Sequence, residues 1–141
     1  MALGACGGDD VAAAFPADYA ATYQEVRDCR GSADHDLRLI RVLADPAARA
    51  PYLARDAAFP VGAVLLKEEY DFGDPTCNGP IMQWTVMQRQ GDGGDPLHLG
   101  WAWQRVDPDR RVVAADDSRC FGCHASCGEP PDGYLGTCAV P

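Results

Sequence analysis

Five residues near the C-terminal end, Cys120-Phe121-Gly122-Cys123-His124, constrain this chain more than any other stretch. Two cysteines separated by two residues and followed by histidine form the attachment signature of a c-type haem. Both thiols add across the haem vinyl groups, and the imidazole then reaches the iron from one side. One helical turn can hold the three groups against a single porphyrin edge. The pattern therefore predicts a short helix that carries haem c.

Two other sites use the same residue types. A redox pair of cysteines at this spacing usually opens a helix within a βαβ unit, and the surrounding sequence predicts no such unit. A zinc site needs a second pair of ligands, which Cys127 and Cys138 could supply. The sequence favours haem, with His124 as the iron ligand, and leaves a zinc site or simple disulfides as the alternatives.

The composition limits the class of protein. A chain of 141 residues with 47% hydrophobic and 23% charged residues predicts one globular domain with a core of its own. A net charge of -9 and the lack of any basic run argue against nucleic-acid binding. No apolar stretch is long enough to predict a membrane span.

The cysteine content and the N-terminus indicate an oxidising compartment. Seven cysteines are many for this length. Leu3-Gly4-Ala5-Cys6 resembles the lipobox of bacterial lipoproteins, and a flexible acidic stretch follows it. We expect residues 1–14 to be a tail with a lipid on Cys6, residues 15–141 to be the single domain, and the location to be periplasmic or outer-membrane. The alternative is a free Cys6 thiol.

Two helices are predicted in the first half of the chain. Residues 16–28 suit a helix, because Pro16 fits a first turn and the apolar residues that follow share one helical face. Asp45-Pro46 begins a second helix. We expect Pro51 to interrupt it and a helix to resume over residues 51–58.

The rest of the predicted secondary structure is mostly strand. Alternating apolar residues between turn signals indicate strands over residues 37–43, 63–70, 81–90 and 99–106. The order of elements predicts an α+β fold, with a mainly antiparallel sheet, flanking helices and a C-terminal haem-binding helix turn.

The strand over residues 63–70 contains Lys67, the only lysine among twelve basic residues. Arginine would serve for a surface charge, whereas lysine offers a compact amine whose pKa falls on burial. Strand alternation places Glu69 on the Lys67 face and Glu68 on the opposite face. Lys67 is therefore a candidate nucleophile, and the alternative is an exposed lysine whose stem covers apolar surface.

Several short patterns accompany the late haem signature. They are an F-P-x-D-Y helix start, an F-P-x-G-x-V-x-x-K-E strand and a later strand with two tryptophans. Their residues here are Phe15, Pro16, Asp18 and Tyr19; Phe59, Pro60, Gly62, Val64, Lys67 and Glu68; and Trp101 and Trp103. Over residues 15–125 the chain resembles the cytochrome P-460 family. The lysine strand followed by a late haem signature is the more specific part of this resemblance.

The resemblance implies a homodimer with a five-coordinate haem c held by Cys120, Cys123 and His124. Some members carry a bond from a lysine to a porphyrin meso carbon and oxidise hydroxylamine, and Lys67 matches that lysine. A sister branch, cytochrome c′-beta, lacks the bond and binds nitric oxide in an apolar distal pocket. The chain is then either a hydroxylamine oxidoreductase that uses a soluble electron acceptor, or a nitric oxide binder or sensor without turnover. A simple electron-transfer cytochrome is a third possibility.

The strand over residues 81–90 departs from the hydroxylamine-oxidising pattern. Members with that activity place a distal carboxylate there, whereas this strand has Gln83, Gln88 and Arg89 but no acidic residue. Deprotonation of bound hydroxylamine benefits from a nearby base, which makes Glu69 the candidate substitute. We also expect Arg89 to donate hydrogen bonds to a bound oxygen atom, unless it simply faces solvent.

An electron-transfer cytochrome would need a sixth iron ligand, for which His35, His98, Met82 and Met87 are available. Both histidines lie beside polar turns and are expected at the surface. Methionines in a strand more often belong to the core. We therefore expect an open distal site.

Four cysteines remain after Cys6 and the haem pair are assigned, and they allow three pairings. We expect Cys127 to pair with Cys138, which closes a short loop beside the haem helix. Cys29 would then pair with Cys77.

Overall fold

The structure, a computed structural model, describes residues 11–139. Its strands are β1 (Gln24–Ser32), β2 (Arg38–Ala44), β3 (Val64–Tyr70), β4 (Ile81–Arg89), β5 (Trp101–Val106) and β6 (Val112–Ala115). Its α-helices are α1 (Pro46–Ala54) and α2 (Ser118–His124), and short 3-10 turns lie between some of these elements. Within the described residues, no helix is long and apolar enough to cross a membrane.

The six strands form one antiparallel sheet in which each strand pairs with its neighbours in the chain. The predicted α+β class is confirmed. β3 lies inside the sheet, and its Lys67 stands opposite Val42 of β2 and Thr85 of β4. Because side chains alternate across a strand, this register decides which residues share a face with Lys67.

One side of the sheet, called here the closed face, is filled by apolar side chains. They are Phe15, Tyr19, Leu43, Val64, Leu66, Trp84, Val86 and Val106. Glu68 is the buried carboxylate of this face. It accepts hydrogen bonds from Tyr19 Oη at 2.8 Å and from Arg41 Nη2 at 2.7 Å, and Tyr70 donates a third. The buried carboxylate of the closed face, Glu68, therefore has hydrogen-bond partners from three side chains.

The other side, called here the open face, is covered by α1, α2 and the segment that follows α2. Leu65, Met87 and Trp103 of the sheet belong to the apolar core on this side, and Cys120 packs against it. A cavity remains between the sheet and α2. The open face therefore combines an apolar core with a cavity.

The prediction of a helix over residues 16–28 is wrong. A single 3-10 turn at Tyr19–Ala21 takes its place, and no side-chain cap supports it at Asp18. The chain then enters β1, which pairs with β2 on the sheet edge. Pairing across strands gives the backbone of this segment its hydrogen-bond partners, so tertiary context overrides the helical spacing.

The predicted interruption at Pro51 is also wrong, and no second helix forms over residues 51–58. α1 runs through Pro51 and ends at Ala54, with Asp45 accepting a hydrogen bond from Ala48 N as the N-cap. Pro51 and Tyr52 are both buried. Their packing offsets the hydrogen bond that a proline inside a helix removes.

The described part of the expected tail is docked on the sheet. Gln104 donates a hydrogen bond to Ala12 O and accepts one from Ala14 N at 2.8 Å. Cys6, the expected lipid site, lies outside the described residues. Both expected disulfides are present, Cys29–Cys77 and Cys127–Cys138.

Candidate functional site

The predicted haem signature lies on α2. Asp117 is the N-cap and accepts a hydrogen bond from Arg119 N at 2.9 Å. Cys120 and Cys123 on this helix are both free thiols, and burial raises the pKa of Cys120. Since Cys127 pairs with Cys138, those residues are not available as zinc ligands. Within residues 11–139, no group of three or more histidine, cysteine or acidic side chains is arranged to hold a metal ion by itself.

His124, at the end of α2, is buried and held on two sides. Its Nδ1 lies 2.6 Å from Gly136 O, and its ring meets the Trp103 ring edge-on, with centroids 4.8 Å apart. Burial, reinforced by the charge of Lys67, lowers the pKa of His124 to about 4. Because a carbonyl only accepts, Nδ1 carries the proton and Nε2 is left with a lone pair for a metal.

The cavity beside α2 has a volume of about 570 Å³. Val42, Leu65, Met87 and Trp103 give it apolar walls, while both α2 thiols and His124 stand on one side. Pockets for cofactors are typically about 300–1,000 Å³ and mostly apolar. The volume and the apolar walls are within the range of a cofactor site.

The residues present fit haem. Two unpaired thiols and a neutral imidazole occupy the positions that haem c attachment needs. Arg27 also lines the cavity, and its buried Nε has no hydrogen-bond partner in the structure. A buried donor of this kind calls for an acceptor, and a haem carboxylate is one.

Lys67 projects from β3 into the same cavity as the α2 thiols. Its Nζ lies 2.8 Å from Nε2 of His35. Burial lowers the pKa of Lys67 to about 8, against the opposing effect of the Glu69 charge. A neutral amine is therefore accessible near physiological pH, as a nucleophile requires.

Glu69 is fully buried and lines the cavity two residues beyond Lys67. It is hydrogen-bonded to Arg38 Nη1 at 3.0 Å, Gln83 Nε2 at 2.7 Å and His35 Nδ1 at 3.0 Å. Burial alone would raise the pKa of Glu69, but the hydrogen bond and charge of His35, with the other donors, hold it below its usual value. The carboxylate is therefore ionised.

His35 is the site residue that the sequence analysis misplaced. It was expected at the surface, but it lines the cavity and bridges Lys67 and Glu69. Because a helix was predicted over residues 16–28, β1 was not expected. β1 and β2 form a hairpin, and the hairpin loop places His35 on the open face. A correct assignment of β1 would have placed His35 at the end of the lysine strand.

The structure does not bring Arg89 to the cavity. Its Nη1 donates to Leu99 O at 3.2 Å, and its guanidinium lies over the Trp101 ring at 5.4 Å. Neither Met82 nor His98 lines the cavity. Met82 is exposed, and the His98 ring packs against Phe121 of α2, with ring centroids 4.6 Å apart.

A comparison with known protein families agrees with this geometry. The model described as Cytochrome P460 matches residues 16–130, from the segment before β1 through the haem signature. The chain belongs to the cytochrome P460 family. No curated protein gave a significant match.

Membership of the cytochrome P460 family makes the chain a haem c cytochrome. The antiparallel sheet with two short helices is consistent with the family fold. Cys120, Cys123 and His124 on α2 are the groups that fit attachment of this haem, and Lys67 is among the sheet residues that line the same cavity.

Proposed function

We propose that this cytochrome P460 oxidises hydroxylamine, or a related small nitrogen compound, at a five-coordinate haem. The position of Lys67 carries the proposal, because the chain's only lysine lies in the cavity that the haem cysteines line. Lys67 would contact the haem edge and bond to a meso carbon, as in those family members that oxidise hydroxylamine. The C–N bond would replace one N–H bond and the meso C–H bond, so its formation releases two protons and two electrons and needs an added oxidant such as a peroxide during haem loading.

The surroundings of the four candidate sixth ligands support an open iron. Both ring nitrogens of His35 have partners, since Lys67 lies at Nε2 and Glu69 at Nδ1. Met87 pairs across the strands with Trp103, the residue that packs on the proximal ligand His124. The other two candidates, described above, lie away from the cavity.

Bound haem would supply an iron that takes electrons from the nitrogen ligand and passes them to a soluble acceptor. The chain's own residues would handle protons and exclude water. Glu69, ionised and buried, is the candidate base for N–H or O–H protons of the ligand, replacing the missing carboxylate of β4. Val42 and Leu65 would keep that part of the site dry.

A second function is favoured by the same apolar walls. Val42, Leu65 and Met87 suit a small uncharged ligand such as nitric oxide, which a cytochrome c′-beta-like protein would bind or sense without turnover. The two functions differ in whether Lys67 forms its bond to the haem and whether Glu69 takes up protons.

Location and assembly belong to the same proposal. The two disulfides, Cys29–Cys77 and Cys127–Cys138, support an oxidising compartment such as the periplasm. A lipid on Cys6 would attach the protein to the outer membrane, and the active form would be a homodimer.

The test begins with the optical spectrum and intact mass of the haem-loaded protein. A nitrogen bonded to the macrocycle donates electron density, so we expect a red-shifted ferrous Soret band in the wild type and a normal c-type band in Lys67→Ala. Hydroxylamine consumption with an added oxidant should fall at least tenfold in that variant, while Arg89→Ala, outside the cavity, keeps wild-type turnover.

Three results would count against parts of this proposal. A low-spin ferrous spectrum would show a sixth ligand and exclude both open-site functions. A normal Soret band in the wild type would exclude the bond from Lys67. A red-shifted protein that binds nitric oxide but leaves hydroxylamine unchanged would favour the binding function.

A further inference from the structure

Lys67, His35 and Glu69 form a continuous line of contacts within the cavity. Lys67 Nζ lies 2.8 Å from His35 Nε2, and His35 Nδ1 lies 3.0 Å from Glu69 Oε1. A nucleophile within hydrogen-bond reach of a base, with the base oriented by a third group, is the arrangement of an activated nucleophile. The sequence places these residues 32 and 34 positions apart, so the arrangement is made by the sheet and the β1–β2 loop.

The hydrogen bond to Glu69 decides the state of the His35 ring. An ionised carboxylate only accepts hydrogen bonds, so Nδ1 carries the proton that it donates to Oε1. In the neutral ring, Nε2 then presents its lone pair to the Lys67 amine. Arg38, Gln83 and Thr85 also contact Glu69 and fix its carboxylate, which in turn fixes the ring.

We propose that His35 is the general base that removes a proton from Lys67, with Glu69 as the residue that positions it. One Nζ–H bond breaks, its electron pair stays on Nζ, and an Nε2–H bond forms. The positive charge moves from the ammonium to the imidazolium, which lies against the Glu69 carboxylate. The net charge of the buried group does not change, so the transfer avoids creating an uncompensated charge.

The other charged and titratable groups around Lys67 do not take over this role. Asp34 and Arg27 act on Lys67 only through their charge, and neither forms a hydrogen bond with its amine among the described residues. The Cys120 thiol carries no charge at neutral pH, because burial raises its pKa. The His35 side chain is 20% exposed, so the imidazolium can release its proton to water. Lys67 would therefore be returned repeatedly to its neutral, nucleophilic form.

The assignment of the haem edge as the natural electrophile of this amine rests on the proposed function. The reactivity of the amine itself can be measured separately. The test uses the full haem-loaded chain as wild type, His35→Gln, Glu69→Gln and the control His98→Gln, whose ring lies outside the cavity. Haem content and far-UV circular dichroism establish that each variant is folded.

A single digestion reports the haem bond, because Lys67 is the only lysine. A lysine-specific protease cuts the denatured chain once if the amine is free and leaves it whole if the amine is bonded. If the wild type is bonded, we expect the bonded fraction formed in a fixed loading time, with the same added peroxide in every sample, to fall at least tenfold in His35→Gln. We expect a smaller loss in Glu69→Gln and none in His98→Gln.

If the protease cuts all of the wild-type chain, Lys67 is not bonded to the haem and that part of the proposed function fails. The role of His35 as the base is then tested by acetylation of Lys67 with acetic anhydride. A short pulse at pH 7.5, scored by mass on Lys67, should label the wild type and His98→Gln alike. The labelling rate should be at least tenfold lower in His35→Gln than in the wild type. In either assay, equal reactivity of the wild type and His35→Gln would overturn the assignment, and equal reactivity of Glu69→Gln would remove the positioning role.

Discussion

Glu68 and Glu69 are neighbours in β3, yet their carboxylates point to opposite faces of the sheet and meet opposite surroundings. Glu68 is enclosed on the closed face by Tyr19, Tyr70 and Arg41. Glu69 borders the cavity on the open face and contacts His35. Side chains alternate along a strand, and this alone puts the two carboxylates in different surroundings. Glu68 is hydrogen-bonded to residues of the closed face, whereas Glu69 borders the cavity.

The two faces also differ in how they use apolar residues. Leu66 has no exposed surface and belongs to a core that fills its side of the sheet. Leu65, one position away, is a cavity wall. One strand can therefore supply both a tightly packed core and the wall of a cavity, provided that the register of its neighbours is held.

Replacement of Cys120 and Cys123 by serine should have the largest effect. No thiol would remain on α2 to bond the haem, so we expect complete loss of haem that survives denaturation, measured by haem stain and intact mass. The matched control replaces Cys29 and Cys77, whose disulfide links β1 to the loop between β3 and β4 and does not line the cavity, and should keep covalent haem. Covalent haem in the first variant would contradict the assignment of these thiols.

Glu68→Gln should mainly affect the closed face. Loss of the charge weakens hydrogen bonds from Arg41, Tyr19 and Tyr70, each worth more to a charged acceptor. We expect the free energy of unfolding in urea to fall by about 2–3 kcal/mol, with the haem spectrum unchanged. A change in the haem spectrum without a loss of stability would reverse the roles given to the two faces.

Glu69→Gln should have the smallest of the three effects. It should change how the free energy of unfolding depends on pH in the acidic range. The folded-state pKa of Glu69 lies below its unfolded value of 4.5, so its contribution is complete above pH 4.5 and is lost as pH falls through the folded value. The difference in unfolding free energy between wild type and variant should therefore be constant above pH 4.5 and shrink below it. A difference that stays constant down to pH 3 would show that Glu69 is not held ionised.

Local patterns were enough to predict most of the sheet and part of the site. Alternation along β3 placed Lys67 and Glu69 on one face, and the spacing of α2 placed the haem residues together. Asp45 was correctly predicted as a helix N-cap, because capping depends on three or four adjacent residues.

The errors share one physical cause. The helical spacing of residues 16–28 was overridden by the pairing of β1 with β2, which no local pattern reports. That error moved His35 to the surface. Arg89 was expected near the haem because hydroxylamine-oxidising family members place a distal group on the corresponding strand, but Trp101 and Leu99 hold its guanidinium elsewhere. Contacts between distant residues decided both positions.

The Cys127–Cys138 disulfide closes the loop whose Gly136 carbonyl holds His124, and it does so a few residues from the free thiols of Cys120 and Cys123. This arrangement has a consequence for biosynthesis. Haem attachment consumes reduced thiols, whereas the neighbouring bond requires oxidised ones, and all four sulfurs pass through the same compartment. A nascent chain that oxidised Cys123 with Cys127 would lose one haem anchor and one loop closure together. Correct maturation therefore depends on the order in which two competing sulfur chemistries reach this segment.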